Sequence, residues 1–195
     1  DRTLAMTEKR KIILAVTGAS GSLYARLLAE RLLAFRGVEL SAIVTENGAH
    51  VMRFEDNDKW LDHPKIRVFN NSNLFEPPAS GSARFDSMVI VPCSMGTLGR
   101  IASGVSSDLV CRAADVMLKE RRRLILVTRE APVSTIHLRN MLTLSECGAI
   151  VCPACPSFYQ KPVDIECMCN ALNDRILSLL GLETDGYVWG ETPDE

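Results

Sequence analysis

The stretch Lys11-Ile-Ile-Leu-Ala-Val16, running straight into Thr17-Gly-Ala-Ser-Gly-Ser22, decides the fold. After Lys11 the run has no polar alternation and reads as a strand buried on both faces. That is the environment of a parallel sheet covered by helices on either side. The glycine-rich turn then opens a helix over residues 23–35. Leu23, Leu27, Leu28, Ala29, Leu32 and Leu33 share one broad face of it, with Arg26, Glu30 and Arg31 elsewhere. Gly37 is expected to cap its C-terminus.

The same alternation continues outward. An apolar strand covers 38–44 and a helix 47–54. Residues 55–83 are the least ordered part by composition, with only 66–69 strand-like. A buried strand over 86–91 is expected to stop at Pro92. Helices follow over 95–103 and 107–121, separated by Gly104, then a strand over 124–128. A helix over 134–147, a short strand over 149–152 ending at Pro153, and a helix over 163–182 complete the pattern. Ile165, Met168, Leu172, Ile176 and Leu179 form the expected stripe of that last helix. Strands alternating with helices imply right-handed crossovers and a flavodoxin/Rossmann-like α/β three-layer sandwich with a mainly parallel sheet. Ligands bind beyond the carboxyl ends of such strands, so the loops to read are 17–22, 45–48, 93–97, 129–132 and 153–161. The expected organisation is an N-terminal extension (1–10), one domain (11–182) and an acidic tail (183–195). Tyr187 and Trp189 in that tail look like anchors for a neighbouring chain.

The chain has 195 residues, 47% apolar and 24% charged, with a net charge of −2. At roughly 100–200 residues per domain this is one domain with a core of useful size. The composition argues against disorder and offers no basic surface for nucleic acid. No run reaches the roughly 18 apolar residues of a membrane span. Residues 1–10 lack a secretory pattern, with Met6 expected as the native start and Asp1–Ala5 as an appendage. Seven cysteines, an odd number, argue against a disulfide framework, and a cytoplasmic protein with reduced thiols is expected.

Gly18-Ala-Ser-Gly21 lets the backbone approach a ligand and offers helix N-terminal amides to an anion. It is neither G-x-G-x-x-G nor a Walker loop, and a tight turn with serine caps explains it equally well. Pro92-Cys-Ser-Met-Gly-Thr97 repeats the logic, and two such loops on one sheet edge suit a flavin mononucleotide; Ser94 also serves as an N-cap. Arg112, Asp115 and Lys119 share a helix face expected to end near the ligand edge, although an Asp–Lys pair on a solvated face is the commoner meaning. Arg175, at the margin of an apolar stripe, either snorkels to water or binds an anion. Arg129 and Glu130 follow a strand directly. Cys152-Pro-Ala-Cys155 and Cys167-Met-Cys169 read as buried structural thiols in preference to a metal site. His50, His63 and His137 form no ligand pair.

In order and spacing, Ser80-Gly-Ser82, Pro92-Cys-Ser-Met-Gly-Thr-Leu98, Arg112-Ala-Ala-Asp115, Leu118-Lys-Glu-Arg-Arg122, Thr128-Arg-Glu-Ala-Pro132, His137-Leu138, Pro156-Ser-Phe-Tyr159 and Arg175 resemble the UbiX-like flavin prenyltransferases. The resemblance runs from about residue 11 to 182. It implies a metal-free homododecamer joining the dimethylallyl group of dimethylallyl phosphate to N5 and C6 of reduced FMN. The product, prenylated FMN, would go to a UbiD-like decarboxylase. Also implied are FMN contacts at Gly18, Ala19, Ser20, Thr45, Ser94, Met95, Gly96, Thr97 and Arg129. Arg112, Lys119, Tyr159 and Arg175 match the pocket for dimethylallyl phosphate, and Glu130 and Glu55 match catalytic carboxylates; Ser20, Arg112 and Lys119 join the catalytic set. Preorganised cations at a departing phosphate explain how such chemistry proceeds without a metal motif. The rivals are an FMN-dependent cysteine-type decarboxylase, whose Pro-x-Ala-Asn-Thr loop is absent, and a non-catalytic flavin carrier.

Overall fold

The computed structural model describes residues 9–184 and Gly186. Met6, the appendage 1–5, Tyr187 and Trp189 lie outside them. Along the chain come β1 (Arg10–Val16), α1 (Ser22–Ala34), β2 (Val38–Val44), α2 (Glu46–Phe54), β3 (Arg67–Phe69) and β4 (Ser87–Cys93). They are followed by α3 (Met95–Ala102), α4 (Leu109–Lys119), β5 (Arg123–Thr128), α5 (Thr135–Glu146), β6 (Ile150–Val151) and α6 (Ile165–Leu179). The strands pair in the order β3-β2-β1-β4-β5-β6, every pairing parallel. The order reverses between β1 and β4, so the crevice outside their carboxyl ends is the natural ligand position of this topology.

Strand side chains alternate between two cores, as a period of two demands. Ile13, Ala15, Met88, Ile90, Leu124 and Leu126 face α3, α4 and α5. Ile12, Leu14, Val16, Val89, Val91, Ile125 and Val127 face α1 and α6, which pack on each other. Each face buries long aliphatic side chains almost completely, at about 1.5–3 kcal/mol apiece, and this holds the layers together.

Three local readings need correction. Gly37 does not cap α1: Phe35 leaves the helix in extended conformation, and the Gly37 carbonyl accepts from the Arg10 N–H (2.8 Å) in the turn beyond. β4 does not stop at Pro92 but continues to Cys93. Its ladder to β5 shifts register between Ile90 and Cys93, which accommodates a residue without an N–H. In α6, Leu172 and Ile176 are buried as expected, whereas Ile165 is 65% exposed and Cys169, Asn173 and Leu177 turn inward. The inward face is therefore rotated from the predicted stripe. Residues 55–83 are irregular apart from β3 and short helical turns, as their composition suggests, yet they are anchored: Trp60, Ile66, Phe69 and Pro78 are buried, and the loop reaches over to hold the start of α4.

Candidate active site

At the carboxyl end of β1, Thr17 is wholly buried. Its hydroxyl donates to the Pro92 carbonyl (2.7 Å) and accepts from the Ser94 N–H (2.8 Å), joining the loops after β1 and β4. Both loops are therefore fastened to each other at the point where strand order reverses. Sequence alone gives Thr17 no role, because its partners lie 75 or more residues away.

The start of α1 is not capped by its own serines. Its N-cap residue is Gly21, at φ 106°, a left-handed conformation suited to glycine. The cap comes from Glu55, just past α2. Its carboxylate accepts from the Ser20 hydroxyl (2.7 Å), the Ser22 hydroxyl (2.6 Å), and the Gly21 (3.1 Å) and Ser22 (2.8 Å) N–H groups. Burial raises the carboxyl pKa, but the donors from Ser22, Ser20 and Gly21 outweigh it, so Glu55 sits below the ordinary carboxylate range. A ligand phosphate at this helix start would have to displace that carboxylate. Gly18 has a packing reason of its own, since a Cβ there would come within 2.6 Å of the Asn47 Cβ.

The second helix start is arranged differently. The Ser94 side chain caps α3 through the Thr97 N–H (3.3 Å), and its hydroxyl lies 3.1 Å from that of Thr97. Arg100 donates to the Thr97 hydroxyl (3.2 Å) from one turn on. Gly96 faces open space, with nothing beyond its own helix within 4 Å of where a Cβ would sit. Amides, hydroxyls and a nearby cation at an open helix start fit a phosphate group. Thr45 caps α2 by accepting from the Gly48 N–H (3.0 Å), which places it on the same sheet edge. Arg129 and Glu130 are exposed directly after β5, with the Arg129 N–H bonded to the Cys93 carbonyl (3.3 Å).

The four residues expected around the dimethylallyl phosphate do not gather within one chain. Tyr159 and Arg175 line a single cavity of about 550 Å³ together with Cys155, Asp174 and Ser178. Arg112 and Lys119 belong to α4, on the opposite face of the sheet. Moreover, α4 runs antiparallel to the strands and ends shortly before β5 begins, which puts Lys119 at the amino-terminal edge rather than the ligand edge. Arg112 donates to Asp115 (2.6 Å) and to the Ala79 carbonyl (3.1 Å), while Arg122 donates to the Gly81 carbonyl (2.9 Å). Residues 79–81 are thereby fastened to α4 and to the turn that follows it. Lys119 pairs with Glu120 (2.5 Å) and not with Asp115, which Arg112 already engages. Among the described residues no group of His, Cys, Asp and Glu could hold a metal ion. Of the cysteines, Cys93, Cys111 and Cys169 are buried, but Cys147, Cys155 and Cys167 are exposed and Cys152 is half-buried. Cys152, Cys155 and Cys167 are therefore more open than the usual burial of free cysteine suggests.

Known proteins resemble this arrangement along its length. The flavoprotein family profile matches residues 2–177. Flavin prenyltransferase UbiX of Methanocaldococcus jannaschii is 43% identical over 92% of this chain and 98% of its own. Among solved structures, AnUbiX (PadA1) in complex with FMN and dimethylallyl pyrophosphate superposes with a TM-score of 0.86 at 39% identity, covering 95% of this chain and all of that one. A dodecameric FMN-dependent UbiX-like decarboxylase from Escherichia coli O157:H7 gives 0.85 at 35%, covering 92% and 98%. With a six-stranded parallel sheet reversing at β1/β4 and relatives matched nearly end to end, the chain belongs to the flavoprotein family and, within it, to the UbiX-like flavin prenyltransferases.

Proposed function

We propose that this chain is a metal-independent prenyltransferase that joins the dimethylallyl group of dimethylallyl phosphate to N5 and C6 of reduced FMN. The observation that carries this reading is the end-to-end identity with flavin prenyltransferases, on a fold whose switch-point crevice carries an open helix start. Reduced FMN supplies the nucleophilic ring atoms. The chain supplies the rest. Ser94, Met95, Gly96 and Thr97 hold the flavin phosphate at the start of α3, with Gly18, Ala19, Thr45 and Arg129 around the remainder of the nucleotide. Ser20, whose hydroxyl donates to the ionised Glu55, belongs to the turn at the mouth of β1. Arg112, Lys119, Tyr159 and Arg175 bind the phosphate and stabilise the charge it gains as the allylic C–O bond breaks. Glu130, exposed after β5, takes the proton released as the new ring closes.

Because α4 and α6 lie on opposite faces, the phosphate clamp is completed by a second copy of the chain, in a homo-oligomer like the dodecamer of the E. coli relative. The prenylated FMN is handed to a UbiD-like decarboxylase. The protein works in the cytoplasm, in keeping with described helices that are too short or too polar to cross a membrane. The test is direct: reduced FMN, dimethylallyl phosphate and the protein are incubated without oxygen and the flavin is weighed by mass spectrometry. A flavin heavier by one C5H8 unit is expected. Unchanged FMN after prolonged incubation with an assembled protein would overturn the reading.

A further inference from the structure

The motif left over from the candidate site is Cys152-Pro-Ala-Cys155. It begins directly after β6, where the Cys152 N–H bonds to the Leu126 carbonyl (2.9 Å) and the Ala154 N–H to the Thr128 carbonyl (2.8 Å). Between the two cysteines the chain doubles back in a three-residue turn, the Cys155 N–H bonding to the Pro153 carbonyl (2.7 Å). Cys155 is exposed and lines the same cavity as Tyr159 and Arg175, while Cys152 is half-buried and outside that lining. Burial pushes the Cys152 thiol up, the Arg175 charge opposes this, and Cys155 acts on it as a close neighbour. The other thiols of this region have different surroundings. Cys169 is buried beside Tyr24, and Cys167 is exposed next to Asp164, whose carboxylate accepts from the Cys167 backbone N–H (2.7 Å).

We propose that Cys152 and Cys155 form a reversible disulfide, with peroxide as the oxidant, that locks the loop carrying Tyr159. The exposed Cys155 thiol gives up its proton as its sulfur attacks one peroxide oxygen; the O–O bond breaks, Cys155 is left as a sulfenic acid, and the departing hydroxide takes up that proton and leaves as water. The Cys152 sulfur then attacks the Cys155 sulfur, the S–O bond breaks, and the Cys152 proton leaves with the departing hydroxide as a second water. Two thiols are oxidised and one peroxide is reduced to two waters; a dithiol reductant reverses the change by exchange. The source of peroxide is the reaction of any reduced flavin with dioxygen. A crosslink four residues ahead of Tyr159 fixes the cavity wall in one conformation. Misplacing a substrate-positioning group by about 1 Å can cost about 10²-fold in rate.

Bond formation stands on these cysteines alone, whereas its consequence for catalysis rests on the proposed prenyl transfer. The experiment therefore reads both. The full-length protein is treated with dilute hydrogen peroxide, its free thiols are alkylated, and the peptides are mapped by mass. The peptide spanning 152–155 should lose two hydrogens and resist alkylation until reduced with dithiothreitol. Cys152→Ser should leave Cys155 as a sulfenic acid that a 1,3-diketone probe traps. Prenyl transfer by the oxidised wild type should fall by about 10²-fold and return with dithiothreitol. Both thiols remaining alkylatable, or Cys155 linked to another cysteine, would overturn the proposal even if the reduced protein is fully active. A reduced protein that makes no prenylated flavin while the disulfide still forms would count against the prenyl-transfer reading and leave the disulfide standing.

Discussion

Thr17 and Glu55 each tie together segments that are remote in sequence, by unlike means. Thr17 uses one buried hydroxyl as donor and acceptor at once, so Thr17→Val removes both bonds while keeping the shape. It leaves the Pro92 carbonyl and the Ser94 N–H without this partner, at a cost of about 1–3 kcal/mol. Thermal denaturation should show that loss, and FMN titration should show weakened binding, since Ser94 is displaced. Thr17→Ser should recover most of both; a valine variant with native FMN affinity would mean the staple does not position the flavin loop. Glu55 acts through charge. Its folded pKa is depressed, so its contribution is full above the ordinary carboxylate value of about 4.3 and disappears as pH falls through the lowered folded value. Glu55→Gln should be less stable than wild type at neutral pH by about 1 kcal/mol, after allowance for its partial exposure. The gap should close on acidification, as denaturant titrations between pH 7 and about pH 3 would reveal. A gap that is constant with pH would mean the carboxylate charge is irrelevant to the cap. The family resemblance points to both Ser20 and Glu55, but not to their contact, because only the return of α2 toward the start of α1 brings them together.

At the scale of elements, the alternation of apolar runs and helical faces is enough to read the sheet, and the boundaries of β2 are the same in sequence and structure. Direction and reach are not legible in the same way. The periodicity of α4 shows that Arg112 and Lys119 share a face; the antiparallel run of a crossover helix then puts its end at the far edge of the sheet. Composition likewise makes residues 55–83 look loose, since Asn, Pro and Ser favour turns. Here those residues work as clamps. The Asn71 carbonyl accepts from the Leu109 N–H (2.8 Å) and its side chain from the Val110 N–H (3.0 Å), beside the Asp108 cap on Cys111 (2.9 Å). Three N–H groups at the start of α4 thus find acceptors, two of them from outside the helix. Asn71→Ala and Asp108→Ala should each cost about 1 kcal/mol, measurable as a shift in chemical denaturation. Native stability in Asn71→Ala would mean that water serves the Val110 N–H as well as the loop does.

For the whole molecule, the exposed apolar surface and the proposed division of the clamp point the same way. Phe75 is 98% exposed, Val163 88% and Phe158 70%, and Ile136, Leu138 and Leu142 project from α5. Such surface on one chain is what contact with further copies would cover. If a site takes Arg112 from one subunit and Arg175 from another, two defective chains can repair each other. Arg112→Ala and Arg175→Ala alone should each lower prenyl transfer by about 10- to 150-fold, for a charge-assisted contact of about 1.5–3 kcal/mol. When the two variants are unfolded together, refolded and reassembled in equal amounts, half of the chains offer an intact Arg112 and half an intact Arg175. About one quarter of the composite sites should then carry both, and activity should rise toward that fraction of wild type. In a site built within one chain, every copy would still lack one of the two arginines, and mixing would restore nothing. Light scattering before and after mixing supplies the control, because repair needs an assembly in which both kinds of chain are present. A mixture that assembles as expected and stays as inactive as its parents would place the whole clamp in one chain and end the composite-site account.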